Sequence, residues 1–82
     1  METMRELFYK GGYTFACESQ GTRYGFRHLC FAFKNGQQVA SAKCCYYNRT
    51  WERWTFESVL NLCARKLGLD PFTDQDRFAS AA

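Results

Sequence analysis

His28 is the only histidine of the chain, and imidazole is the side chain best suited to exchange a proton near neutral pH. On a β-strand it would share a face with Cys30 and lie diagonally near Cys45 of the next strand. A histidine beside a thiol can activate a nucleophile, and His28, Cys30 and Cys45 together offer three zinc ligands. The chain has no CxxC or HxxxH spacing. A histidine beside small packed thiols is therefore the preferred interpretation, with a thiol or zinc site as an alternative.

The other residue types that carry catalysis do not form a recognisable set. Glu52 and Glu57 are five residues apart on a predicted helix, which places them on different sides. The glycines lack the spacing and the lysine of a phosphate-binding loop. We therefore expect no enzyme, no catalytic residues, no metal and no cofactor.

Aromatic and basic residues predict binding instead, at either of two surfaces. The first is the face of the predicted sheet turned away from the helix, where aromatic rings could stack on bases or partner side chains while cations meet negative charge. Its residues are Phe26, His28, Lys43 and Tyr47. A second subunit or the N-terminal segment covering this face remains an alternative.

The second candidate surface is the corner where the last strand leads into the helix. Arginine and tryptophan are the residue types most often found as anchors in protein interfaces. The corner residues are Tyr46, Arg49, Trp51, Arg53 and Trp54. The alternative is that the two tryptophans close the end of the core while the arginines face water.

The elements that position these residues begin with a hairpin at Asn35-Gly36. Both central positions of a two-residue hairpin turn need positive φ, which this dipeptide tolerates. Strand-like runs flank it, and an unbroken ladder would place Phe31 opposite Ala40 and His28 opposite Lys43. The predicted buried face is almost entirely apolar: Leu29, Phe31, Phe33, Ala40, Ala42, Cys44 and Tyr46.

The hydrophobic pattern is weak in the residues before this hairpin and clear in the residues after it. "YTFACES" alternates and predicts a first strand, whereas "METMRELF" fits either a short helix or an additional strand. A helical stripe follows, with Gly68 as its left-handed stop. The stripe consists of Phe56, Val59, Leu60, Cys63 and Leu67. After Pro71, Thr73 is predicted to cap a short second helix.

These elements predict an α+β fold, a three-stranded antiparallel meander packed on one C-terminal amphipathic helix, with an N-terminal helix left open. The 82 residues allow one domain, assigned to residues 1–69, followed by a C-terminal tail at 70–82. Residues 1–69 carry ten Lys and Arg against five Asp and Glu, whereas the tail has three Asp and one Arg. A basic body with an acidic tail fits an acidic partner, nucleic acid or protein, and fits ordinary solubilising charge equally well.

The five cysteines match no disulfide framework, and the opening residues lack the apolar run of a signal peptide. We therefore expect a reducing cytoplasm, no membrane association and mostly buried free thiols.

The stretch "YYNRTWERWTFESVL" resembles small uncharacterised proteins of bacteriophages and Gram-positive bacteria. In these proteins a strand ends in an "NRTWE"-type segment that leads into an amphipathic helix, and the resemblance covers about residues 23–67. It implies a small protein of a phage or mobile element and assigns no functional residues.

The predicted topology is also similar to the double-stranded RNA-binding domain. That family grips phosphates with a lysine cluster at the start of its last helix. Here the corresponding stretch is "RTWERWTFES", which has Arg49 and Arg53 but also Glu52 and Glu57. The departure argues against RNA binding in the manner of that family.

The leading hypothesis is a small non-enzymatic intracellular module that docks an aromatic and basic surface on a protein partner, such as a host factor that handles nucleic acid. Direct binding of RNA or DNA is the first alternative, and a thiol or zinc site is the second. A homodimer formed through the open edges of the sheet is compatible with each of them.

Overall fold

The computed structural model describes residues 3–23, 25–46 and 56–76, apart from the side chains of Cys45 and Tyr46. Its elements are β1 (Thr3–Lys10), β2 (Tyr13–Gly21), β3 (Phe26–Lys34), β4 (Gln37–Tyr46) and α1 (Glu57–Lys66). The strands form one antiparallel sheet in the order β1-β2-β3-β4. The α+β class is confirmed, but the sheet has four strands where three were predicted.

The fourth strand is the opening segment, for which the sequence left both a helix and a strand open. Residues 3–10 pair with β2 over eight consecutive positions, and the connection is a tight turn in which Gly11 and Gly12 both have positive φ. Only Phe8 of this strand is buried, at 1% exposure. The short helix that "METMRELF" also fitted does not form over residues 3–10, because pairing with β2 outweighs a weak local pattern.

The hairpin between β3 and β4 begins as predicted and then departs from the predicted register. Asn35 and Gly36 have φ of 52° and 80°, and Lys34 pairs with Gln37. A β-bulge follows, because Phe33 pairs with Gln38 whereas Ala32 pairs with Ala40. Val39 is thus an extra residue of β4, and every later pair is displaced by one position.

This single extra residue reverses the predicted faces of β3. Phe31 pairs with Ser41 and not with Ala40, while Ala42 remains buried as predicted. Because side chains alternate along a strand, a displacement of one residue exchanges the two faces of one strand relative to the other. The buried residues of β3 are therefore Phe26, His28, Cys30 and Ala32. The prediction that Leu29, Phe31 and Phe33 lie in the core was wrong.

The helix stripe is confirmed, because α1 buries the predicted residues against the sheet. Phe56, Val59, Leu60 and Cys63 are at most 3% exposed, and Leu67 is partly buried. Gly68 has a φ of 74°, as a left-handed stop requires. Asn48, Thr50 and Thr55 precede this helix and are of residue types that cap helix starts, but they lie outside the described residues.

The core lies between α1 and one side of the sheet, which we call the inner face. Phe72 contacts Phe8 and Phe15 edge to face there, with ring centroids 6.0 and 5.1 Å apart. Phe8 makes a further edge-to-face contact with Phe56, at 6.2 Å. Phe72 belongs to the predicted tail, yet it is only 4% exposed. The predicted boundary at residue 69 thus places one core residue in the tail.

Candidate functional site

The outer face is the side of the sheet opposite α1, and it combines apolar and charged side chains. It consists of the residues that alternate with the buried ones along each strand. The outer-face residues used below are Arg5, Leu7 and Tyr9 of β1, Ala16, Glu18 and Gln20 of β2, Arg27, Leu29, Phe31 and Phe33 of β3, and Ser41 and Lys43 of β4.

An apolar strip crosses the outer face through its central strands. Leu7, Ala16 and Phe31 follow one another in register across β1, β2 and β3. Leu29 and Phe33 flank Phe31 on β3, and all three are partly exposed. Leu7 itself is 51% exposed. Contiguous apolar surface of this kind is typical of an interaction site, whereas single exposed apolar residues are ordinary.

The charged groups of the outer face lie beside this strip and are mainly positive. Arg27 and Lys43 are exposed, Arg27 on the strand of Leu29 and Lys43 directly opposite Leu29. Glu18 accepts hydrogen bonds from Gln20 Nε2 at 2.6 Å and from Arg5 Nε at 3.3 Å. These contacts lower the pKa of the Glu18 carboxyl, with the Gln20 bond as the largest cause. The face therefore carries three cations and one anion among its named residues.

The predicted sheet-face site is not assembled as expected. Phe26 and His28 are 7% and 4% exposed and lie on the inner face, whereas Lys43 is exposed on the outer face. The β-bulge is the physical reason, because it exchanges the faces of β3 relative to β4. Tyr47 and the corner residues Arg49, Trp51, Arg53 and Trp54 lie outside the described residues.

His28 takes part in a buried polar pair that the sequence did not predict. Its Nδ1 lies within hydrogen-bonding distance of Ser19 Oγ, and Ser19 is the residue opposite it on β2. Burial lowers the pKa of His28, so the neutral imidazole is favoured. A hydroxyl paired with a neutral imidazole satisfies two buried polar groups. Because Ser19 is 0% exposed, it is not accessible to a substrate in this conformation.

Three thiols meet in the core, in a combination that also differs from the predicted one. Cys17 Sγ donates a hydrogen bond to Cys30 Sγ at 3.2 Å, and Cys63 of α1 shares a hydrogen bond with Cys30. The hydrogen bond from Cys17 and burial raise the pKa of Cys30, although its hydrogen bond with Cys63 acts in the opposite direction. The hydrogen bond with Cys30 and burial raise the pKa of Cys63. Raised pKa values suppress the thiolate that nucleophilic or metal chemistry needs.

The predicted zinc set of His28, Cys30 and Cys45 gains no support from this arrangement. His28 pairs with Cys44 where Lys43 was predicted, and Cys45, which was predicted to lie diagonally near His28, pairs with Arg27. Within the described part of the chain, no group of three or more His, Cys, Asp or Glu residues could hold a metal ion.

The chain matches no protein-family model, no curated protein and no solved structure. Among the described residues, no helix is both long and apolar enough to cross a membrane.

Proposed function

We propose that this protein is a small non-enzymatic module that binds a protein partner on the outer face of its sheet. The observation that carries the proposal is the partly exposed row of Leu29, Phe31 and Phe33 on β3, beside the cations Arg27 and Lys43. An apolar centre with a charged rim is the usual composition of a protein interface. The chemistry keeps the predicted aromatic and basic character, while Phe31 and Phe33 replace Phe26 and His28.

Charge narrows the kind of partner. The cations at one end of the apolar strip favour a partner with a complementary apolar surface and acidic residues at its rim. The predicted corner at Arg49, Trp51, Arg53 and Trp54 stays part of the proposal as a second contact region. The resemblance around "NRTWE" supports a phage or mobile-element protein whose partner is a host protein.

The proposal predicts that Phe31→Lys weakens partner binding. A lysine at the centre of the strip would bury a charge in the interface without disturbing the core, which lies on the other face. Partners are captured from host extract on immobilised wild-type protein, then purified and measured directly by calorimetry. We expect the dissociation constant to rise roughly tenfold or more, a typical loss for a central interface residue.

The matched control is Ser58→Lys, which adds the same side chain at an exposed position of α1. It should bind like the wild-type protein. A purified partner that binds Phe31→Lys as tightly as wild type, or the failure of any captured protein to bind directly, would overturn the proposal.

Direct binding of single-stranded nucleic acid is the second candidate, and the spacing of Phe31 and Phe33 favours it. Alternate residues of a strand lie about 6.7 Å apart on one face. Two rings at that distance could stack on successive bases while Arg27 and Lys43 contact phosphates. Residues 3–10 form strand β1, whereas a double-stranded RNA-binding domain opens with a helix. Stacking of bases on Phe31 and Phe33 does not require that helix.

This candidate predicts salt-dependent binding of a labelled single-stranded oligonucleotide, followed by fluorescence anisotropy. Lys43→Gln should reduce the slope of log affinity against log salt by about 1, because one phosphate contact is lost. Arg65→Gln, at an exposed cation of α1, is the control and should keep the slope. Absence of binding at low salt, or equal slopes in both variants, would rule the candidate out.

A further inference from the structure

The two edge strands of the sheet differ in how well they are protected against pairing with another strand. β4 contains the bulge at Val39, and Lys66 Nζ donates a hydrogen bond to the Ser41 carbonyl at 2.7 Å. Helix α1 also packs on this strand. Bulges, lysines and covering elements are the devices by which proteins prevent an edge strand from recruiting a partner.

β1 has fewer of these devices in the described part of the chain, because its pairing has no bulge and its one lysine is Lys10, at its end. Its register with β2 is continuous from Thr3 to Lys10, and the chain order leaves it paired with β2 alone among the described strands. Its outer-face side chains are also accessible, with Leu7 and Tyr9 at 51% and 53% exposure. A regular strand of eight residues at a sheet edge presents alternate backbone N–H and C=O groups outward. The chemistry that matches this edge is another extended backbone.

We propose that β1 pairs antiparallel with β1 of a second copy of this chain. A two-fold axis normal to the sheet keeps each side chain on its own face of the joined sheet. Directly opposite residues share a face, so the residue at the axis must pair with the same residue of the second copy. Centring on Arg5 or Glu6 places like charges directly opposite each other, which is destabilising. Centring on Leu7 avoids this.

The register centred on Leu7 also brings two favourable pairs together on the outer face. It places Leu7 against the Leu7 of the second copy and Arg5 against Tyr9, a cation beside an aromatic ring. It pairs residues 4–10 of both copies. Centring on Phe8 would pair only residues 6–10, which is two positions fewer on each strand. Charge and length therefore select the Leu7 register.

The resulting dimer has one continuous sheet of eight strands, twice the four strands of the single chain. The axis normal to the sheet leaves both α1 helices on one side and both outer faces on the other. The apolar strips of the two copies then adjoin through Leu7. The inference concerns the backbone edge of β1 and does not depend on which partner the outer face binds.

Leu7→Lys tests the dimer, because it places two lysines opposite each other at the axis. Sedimentation equilibrium of the full chain should show a dimer for wild type and a dimer dissociation constant at least roughly tenfold higher for Leu7→Lys. The control is Val39→Lys at the other edge, where Val39 is 46% exposed, close to the value for Leu7. It should dimerise like wild type. Circular dichroism checks that both variants are folded.

Hydrogen exchange at two protein concentrations locates the contact. Amides of residues 3–10 should gain protection as concentration rises, while those of residues 37–46 should not. A wild-type protein that stays monomeric at millimolar concentration, equal weakening by Val39→Lys, or protection confined to residues 37–46 would each overturn the proposal. A loss of partner binding in Phe31→Lys with an intact dimer would separate this inference from the proposed function.

Discussion

Ser19 and His28 are polar side chains on the inner face, where the neighbouring positions are apolar or thiol-bearing. They are 0% and 4% exposed, and the hydrogen bond between them offsets the cost of burial. The ring of His28 also stacks on Phe26, with the centroids 6.3 Å apart. A protonated imidazole would be poorly solvated there, which is why burial lowers the pKa of His28.

This lowered pKa predicts that the protein loses stability as pH falls from about 7.5 to about 5.5. The unfolded chain takes up a proton on His28 near pH 6.5, before the folded chain does, so protonation favours unfolding. The measurement is the free energy of unfolding in urea at each pH. Glu18 and Asp76 have lowered carboxyl pKa values and titrate below this range.

His28→Gln supplies the control for this pH dependence. The glutamine keeps a hydrogen-bonding group for Ser19 but cannot take up the proton. Because its hydrogen bond with Ser19 would be imperfect, we expect the free energy of unfolding to fall by about 1–3 kcal/mol at neutral pH. Its stability should change less with pH than that of the wild type. An equal pH dependence in both proteins would contradict the role given to His28.

Among the elements, the segment after α1 shows how a few contacts convert a predicted tail into part of the core. Phe72 fills the space between Phe8 and Phe15, and its N–H donates to Asn61 Oδ1 at 2.8 Å. The Thr73 N–H donates to Asp76 Oδ2, and the Asp76 N–H donates to Thr73 Oγ1, so the two residues form a capping box around the helical residues 74–76. The predicted cap at Thr73 is confirmed, and the described residues of this helix end at 76. Asp76 also bonds Lys10 of β1 at 2.6 Å.

The contacts of this segment predict unequal losses of stability. Phe72→Ala removes a buried ring and should lower the free energy of unfolding by about 3–5 kcal/mol. Asp76→Asn weakens a partly exposed ion pair and should lower it by about 0–1 kcal/mol. Urea denaturation of both variants and of the milder Phe72→Leu provides the comparison. If Phe72→Ala cost less than Asp76→Asn, residues 70–76 would be a tail as first predicted.

The described molecule is a sheet whose inner face packs on α1 and whose outer face α1 does not cover. A chain of this size buries only about 60% of its unfolded surface. Aromatics make up 18% of the residues, and Phe31 and Phe33 remain on the uncovered side. The outer face and the β1 edge are adjacent, so dimerisation would extend the surface that we propose for partner binding.

Much of the fold could be predicted because its signals are local. The Asn35-Gly36 turn and the α1 stripe depend on φ preferences and on a period of about 3.6 residues, both encoded within a few neighbouring positions. The candidate site was less predictable. Its residue types were recognised on β3 and β4, but Phe26 and His28 were placed on the wrong face, and Leu29 and Phe31 were placed in the core.

By itself, the sequence determined the turn at Asn35-Gly36, which helix face is apolar and that the fold is α+β. The tertiary structure decided that the opening segment is a strand, that Phe72 enters the core and which face of β3 is buried. The last decision rests on Val39. Both faces of β3 are apolar enough to be buried, so only packing against α1 and the neighbouring strands could choose between registers that differ by one residue.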